Sequence, residues 1–167
     1  MIQMYTSEKT AINRKKIPAV YKKINLTSLS YPNAYGSRVL DYGTGRAAPI
    51  IRKFLAEDIS LYPYDPYCLS PAVNQKALNS DPHAIVCSGV LNVIKEDDVI
   101  LDIVARFKSY GVPFFISVGE GDKSGIGNAN DKGWSRNQKI SEYLKFDPCL
   151  KLKNGVITNA PELVLSR

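Results

Sequence analysis

The segment VLDYGTGR, residues 39–46, sets an acid, Asp41, ahead of two glycines, Gly43 and Gly45. Glycines can take backbone angles closed to other residues and let main-chain N–H groups approach a ligand, while a helix that follows offers its positive end. About twenty residues further on, Asp65 ends a second apolar run, where a carboxylate can accept hydrogen bonds from ribose hydroxyls. This pair of features suits either a dinucleotide or a nucleoside with a cationic arm. Asp41 separates the two. A negative charge two residues before the first glycine sits badly beside a pyrophosphate and suits the cationic amino end of a methionine moiety, as in S-adenosylmethionine (SAM). The third glycine of a dinucleotide fingerprint would stand at position 48, which is Ala48. The plain alternative is a tight turn at Gly43 that Asp41 caps.

Such a site needs a strand, a glycine turn and a helix, and the pattern supplies them. VLDY is a short apolar run ending at Gly43, and APIIRKFLAE follows with Ile50, Ile51, Phe54 and Leu55 at helical spacing. ISLYPY reads as a second strand closed by Asp65-Pro66, AVNQKALNS as a helix, and AIVCSGVLNV opens as a buried strand. DDVILDIVARFKSYG has acids suited to a helix start, an apolar stripe and a stop at Gly111, and VPFFISV is the next strand. The spacing predicts a glycine-rich loop from Gly119 to Lys132, a short helix over SRNQKISEYL, and a hairpin turning at Asn154-Gly155. Strands alternating with helices imply an α/β fold: a mostly parallel central sheet with helices on both faces and a C-terminal antiparallel hairpin. Ligands in such sheets bind at the carboxyl ends of the strands. Residues 1–36, with a possible short helix after Pro18 and a turn-rich stretch before Arg38, read as a basic N-terminal extension, and residues 37–167 as the ligand-binding domain.

The chain has 167 residues, 44% of them hydrophobic and 23% charged, which is ordinary globular usage for one domain. Twenty-two Lys and Arg against sixteen Asp and Glu give a formal charge of +6, which favours an anionic partner such as a nucleic acid or nucleotide. A solvated surface explains the basic runs as well. Cys68, Cys87 and Cys149 are odd in number and without a C-x-x-C pair, so no disulfide framework or metal site is expected and a cytoplasmic setting fits. No apolar run approaches the roughly 18 residues of a spanning helix, so no membrane partner is expected. His83 is placed at the end of the sheet away from the expected site, and Cys87 reads as a buried small hydrophobe.

VLDYGTGR resembles motif I of the class I SAM-dependent methyltransferases, LYPYDPY resembles their acidic second-strand motif, and IVCSGVLNVI resembles their fourth strand with its following loop. More narrowly, DYGTGR, YDPY and SGVLNVIKEDD are similar to phage-encoded methyltransferases and to methyltransferases associated with DNA phosphorothioation. TAINRKK, SVGEGDKSGIG and GWSRNQKISEYL add to the phage-type likeness, which spans Thr10 to Tyr143. The resemblance implies a Rossmann-like fold with SAM as cofactor, and the cytoplasm of a bacterial host as the setting. It further implies that Asp41, Tyr42, Gly43 and Gly45 surround the methionine part, that Asp65 takes the ribose, and that Ser88, Gly89 and Asn92 border the cofactor. Ala47 replaces the usual third glycine of motif I. No Asn-Pro-Pro-Tyr, Asp-Pro-Pro-Tyr or Pro-Cys follows the fourth strand, which speaks against the usual amino or C5 methylation of DNA bases.

SAM carries an activated leaving group, so orientation of an acceptor can suffice, with a base needed only where the acceptor must lose a proton. Candidate catalytic groups are Glu120, Asp122 and Asn137, and candidate substrate-binding groups are Trp134 and Tyr143. Exposed carboxylates in such a loop are often merely solvated, and a lone tryptophan can simply pack. The expected activity is direct methyl transfer from SAM to an acceptor, with nucleic acid or nucleotide favoured by charge. Two alternatives remain: cleavage of SAM in the same pocket, and a non-catalytic SAM- or nucleic-acid-binding module.

Overall fold

The computed structural model describes residues 4–5, 16–29, 36–131 and 133–166. Residues 30–35 of the turn-rich stretch before the first strand, Lys132 and, apart from Lys16, the basic TAINRKK segment lie outside the described residues.

The fold is α/β, with a six-stranded mixed sheet and a separate two-stranded one. Strand β1 (Ser37–Tyr42) leads through helix α1 (Ala48–Phe54) to β2 (Ile59–Tyr64), and α2 (Pro71–Leu78) leads to β3 (Ala84–Ser88). A 3-10 turn at Leu91–Val93 and helix α3 (Asp97–Ser109) then lead to β4 (Phe114–Ser117). These four strands are parallel, in the spatial order β2-β1-β3-β4. The antiparallel hairpin β7 (Lys151–Lys153) and β8 (Val156–Thr158) completes the sheet, with β8 antiparallel to β4. Its turn residues Asn154 and Gly155 both have positive φ, at 47° and 70°, as the strand twist of a two-residue hairpin requires.

Alternation along the central strands divides the interior in two. Leu40, Ile85, Cys87, Phe114 and Ile116 face α3 and the 3-10 helix Ile140–Phe146, while Val39, Val86 and Phe115 face α1 and the segment before β1. That segment carries short 3-10 helices at Ala19–Lys22 and Leu26–Ser28, and its Val20, Tyr21, Ile24 and Leu26 are buried in the second core. Residues 16–29 therefore share a core with the sheet.

Two local expectations are corrected. Within the glycine-rich stretch, Asn128–Asn130 (β5) pairs with Gly133–Ser135 (β6) as a short antiparallel hairpin. The helix expected over SRNQKISEYL begins only at Ile140 and is 3-10, because Ser135 belongs to β6 and Asn137 takes φ 53°, outside the right-handed helical region.

Candidate functional site

The chain passes from β1 outward to β2, then crosses back to lay β3 on the other side of β1. This reversal makes the carboxyl ends of β1 and β3 the switch point of the sheet, the place where ligands bind in open parallel sheets. The turn after β1 is anchored to the neighbouring strand. Gly43 and Thr44 both donate their N–H groups to the carbonyl oxygen of Tyr64, at 2.7 and 3.1 Å. Gly43 has φ 81°, and a Cβ placed there would lie 2.1 Å from Val90 Cγ2, so both backbone and neighbour demand glycine. After β3, Gly89 has φ 70° and open space around the position of a Cβ.

Asp41 lies beneath this turn and is only 2% exposed. Burial pushes its carboxyl up to about 6, against the opposing pull of the Thr44 and Tyr21 hydroxyls beside it; the charge of Asp65 adds a further upward push. Neither hydroxyl reaches hydrogen-bonding geometry. Asp41 Oδ2, Thr44 Oγ1 and the Tyr21 hydroxyl are all buried without a partner. Such atoms cost free energy unless something donates to them.

Asp65 is the opposite case. Its Oδ2 accepts from Gly45 N–H at 2.9 Å, and its Oδ1 accepts from Tyr67 and Cys68 N–H, each at 2.9 Å. The carboxylate thus ties the turn after β1 to the turn after β2. Ser88 Oγ accepts from the Ser117 hydroxyl at 2.9 Å, joining the ends of β3 and β4. Asn92 lies beside Gly119, where a Cβ would stand 3.5 Å from its Nδ2, and its own Oδ1 is buried and unpartnered. Tyr42 points away from the turn: its ring packs at 4.6 Å from Tyr64 and 5.1 Å from Phe107, and burial raises its phenol. Asp41, Gly43, Gly45 and Asp65 are therefore gathered at one turn, with Gly89 facing it through Val90, and the Tyr42 side chain is directed into the core.

The acceptor-side candidates are engaged in their own segment. Glu120 accepts from Ile140 N–H at 2.8 Å and pairs with Lys123 at 2.9 Å, which together hold its carboxyl below the usual range. Asp122 accepts from Ser124 N–H at 2.9 Å, which lowers it likewise. Asn137 accepts from the Ser135 hydroxyl at 2.8 Å and donates to Ile126 O and Asn128 Oδ1, both at 3.1 Å. Trp134 stacks on Tyr5 with centroids 5.3 Å apart, and the Lys95 ammonium lies 5.2 Å from the indole and 5.9 Å from the phenol ring. Tyr143 is 1% exposed, inside the core under α3, and burial pushes its phenol up to about 12. His83 caps the far end of the sheet, where its Nδ1 accepts from Arg38 N–H at 3.3 Å.

Three important residues escaped the sequence. Tyr21 comes to Asp41 from outside the strand–turn–helix unit, signalled only by the short helical run after Pro18. Thr44 stood between the two glycines without drawing notice. Arg136 is buried and donates to Ile94 O and Lys95 O, both at 3.0 Å, and to Asp97, so it bolts β6 to the start of α3. No pattern marks it out from the surface cations. Among the described residues no group of three or more His, Cys, Asp or Glu could hold a metal ion, and no helix is long and apolar enough to cross a membrane. Compared with known proteins, the chain matches no protein-family model and no curated sequence.

Proposed function

We propose that this chain is a SAM-dependent methyltransferase of Rossmann-like fold, which transfers a methyl group directly to a nucleic acid or nucleotide. The observation that carries this reading is Asp41: a buried carboxylate with an unpartnered oxygen, under a two-glycine turn at the sheet's switch point. A carboxylate left so lacks a cation or a set of N–H donors, and the methionine end of SAM brings both. The other residues fit at two further points. Asp65 has about four lone-pair sites, of which three are used, so Oδ2 can still accept one ribose hydroxyl. Gly89, after β3, faces open space, with Ser88 and Asn92 near it in sequence.

When bound, SAM supplies an activated methyl group on a sulfonium centre. The protein's part is binding and orientation: Asp41 meets the amino end, Gly43 and Gly45 let the backbone come close, and Asp65 fixes the ribose. Glu120, Asp122 and Asn137 are occupied by backbone and side-chain partners, which favours an acceptor that attacks without first losing a proton to a side chain. The formal charge of +6 supports a polyanionic acceptor, and the unpaired thiols of Cys68, Cys87 and Cys149 suit a reducing cytoplasm, that of a bacterial host in this reading. The same occupied side chains also favour a second reading, a non-catalytic SAM- or nucleic-acid-binding module.

The test incubates the pure protein with methyl-labelled SAM and DNA, RNA or cell extract. Label in a macromolecular or nucleotide fraction is the expected result. SAM binding without transfer points to the non-catalytic module, and release of label from SAM alone points to cleavage. Absence of SAM binding by calorimetry overturns the proposal altogether.

A further inference from the structure

We propose that Tyr21 is a positioning residue for Asp41, so that the 3-10 helix preceding the sheet is a working part of the ligand site. This rests on the reading of Asp41 as the acid that meets a cationic ligand.

Tyr21 is 3% exposed, and its helix is fixed from several sides. Ile24 bridges to Val164, Asn25 N–H donates to Leu163 O at 2.9 Å, Leu165 N–H donates to Lys23 O at 2.8 Å, and Lys23 Nζ donates to Asn154 O at 2.9 Å. The C-terminal hairpin and tail thus hold the phenol where it meets Asp41. There its hydroxyl makes no hydrogen bond, nor do Thr44 Oγ1 and Asp41 Oδ2. Packing does not explain that hydroxyl. Phenylalanine would fill the same space without an unsatisfied polar atom, and loss of such an atom is neutral or stabilising. The hydroxyl therefore serves the acid.

The groups that face Asp41 from every packed element are Tyr21, Thr44 at the turn, Asp65 after β2 and Cys87 on β3. The two hydroxyls are the strong donors to the ionised carboxylate at neutral pH; Asp65 repels it, and the Cys87 thiol, kept protonated by burial and by Asp41, is only a weak donor. In the ligand-bound site the phenol donates to one carboxylate lone pair. The remaining lone pairs then face the N–H donors of the ligand, and Asp41 stays charged when the ligand needs it charged.

The test compares wild type with Tyr21→Phe in the full chain. Carbon-13 carboxyl NMR follows the Asp41 titration in unliganded protein, urea unfolding follows stability, and calorimetry follows SAM affinity from pH 5 to 8. Expected are a higher Asp41 midpoint in the variant, stability no lower than wild type, and SAM binding weakened about fivefold at pH 7 by the loss of one hydrogen bond to a bound acid. The affinity profile of the variant should also move to higher pH. An unchanged Asp41 midpoint overturns the positioning role, and so does weakened SAM binding that merely follows a loss of stability. If wild type binds no SAM at any pH, the methyltransferase reading falls, and the NMR midpoint alone decides whether Tyr21 governs Asp41.

Discussion

Replacing Asp65 with alanine removes the acceptor of three backbone N–H groups: Gly45, Tyr67 and Cys68, each at 2.9 Å. Hydrogen bonds to a charged group contribute about 1.5–3 kcal/mol each. Tyr67 is exposed and Cys68 half-buried, so water can reach the donors of that turn and their loss costs the low end of the range. The Gly45 bond has no such substitute within the turn, and the three losses overlap because one side chain makes them all. A total of about 3 kcal/mol follows, which for a chain of this length lowers the melting temperature by about 6–12 °C. Asp65→Asn is the informative companion. Its amide oxygen can keep Tyr67 and Cys68, while its Nδ2 meets the Gly45 N–H donor to donor, so it should lose roughly half as much. Urea unfolding followed by circular dichroism measures both variants. Should Asp65→Ala unfold within about 0.5 kcal/mol of wild type, the carboxylate is not the tie between the two turns. The result also governs how ligand data are read, because an unfolded site would lose SAM for reasons unrelated to the ribose.

Asp41→Asn tests the buried acid by pH. The folded-state value is raised from 3.8 to about 6, so the contribution of the protonated acid is fully present below the unfolded value and is lost as pH rises through about 6. The variant should match wild type near pH 4 and exceed its stability by about 3 kcal/mol above pH 7; a difference that does not change with pH contradicts the burial. Gly43→Ala forces a side chain onto φ 81° and into Val90, costing about 2–3 kcal/mol by thermal melting, and a second change, Val90→Ala, should recover only the steric part. Arg136→Met orphans the carbonyls of Ile94 and Lys95, while half-exposed Asp97 keeps Lys145; a loss of about 2–4 kcal/mol in urea is expected, and one under 1 kcal/mol would show that solvent already serves those carbonyls. Trp134 is the single tryptophan, so Tyr5→Ala should shift the protein's tryptophan emission to longer wavelength, and an unchanged spectrum would mean that the stack does not shield the indole.

Local physics made much of this protein legible in the sequence. Alternating or continuous apolar runs marked β1 to β4, helical spacing marked α1 and α3, and Asn154-Gly155 marked the hairpin turn, because each signal depends on neighbours within a few residues. The same holds for the glycine turn and the two acids, which belong to one strand–turn–helix–strand unit. What depends on distant segments was hidden. Asp65 could be read as a free ribose ligand until the Gly45 N–H, twenty positions away, came to it, and Glu120 as a candidate base until the Ile140 N–H, equally distant, did. Tyr21 meets Asp41 across twenty positions, and Arg136 meets the start of α3 across about forty, by contacts that no periodicity encodes. Side-chain type and local pattern fix which elements form and which polar groups they carry. Whether a carboxylate ends up satisfied or waiting depends on the donors that folding brings to it, and only the tertiary structure decides that.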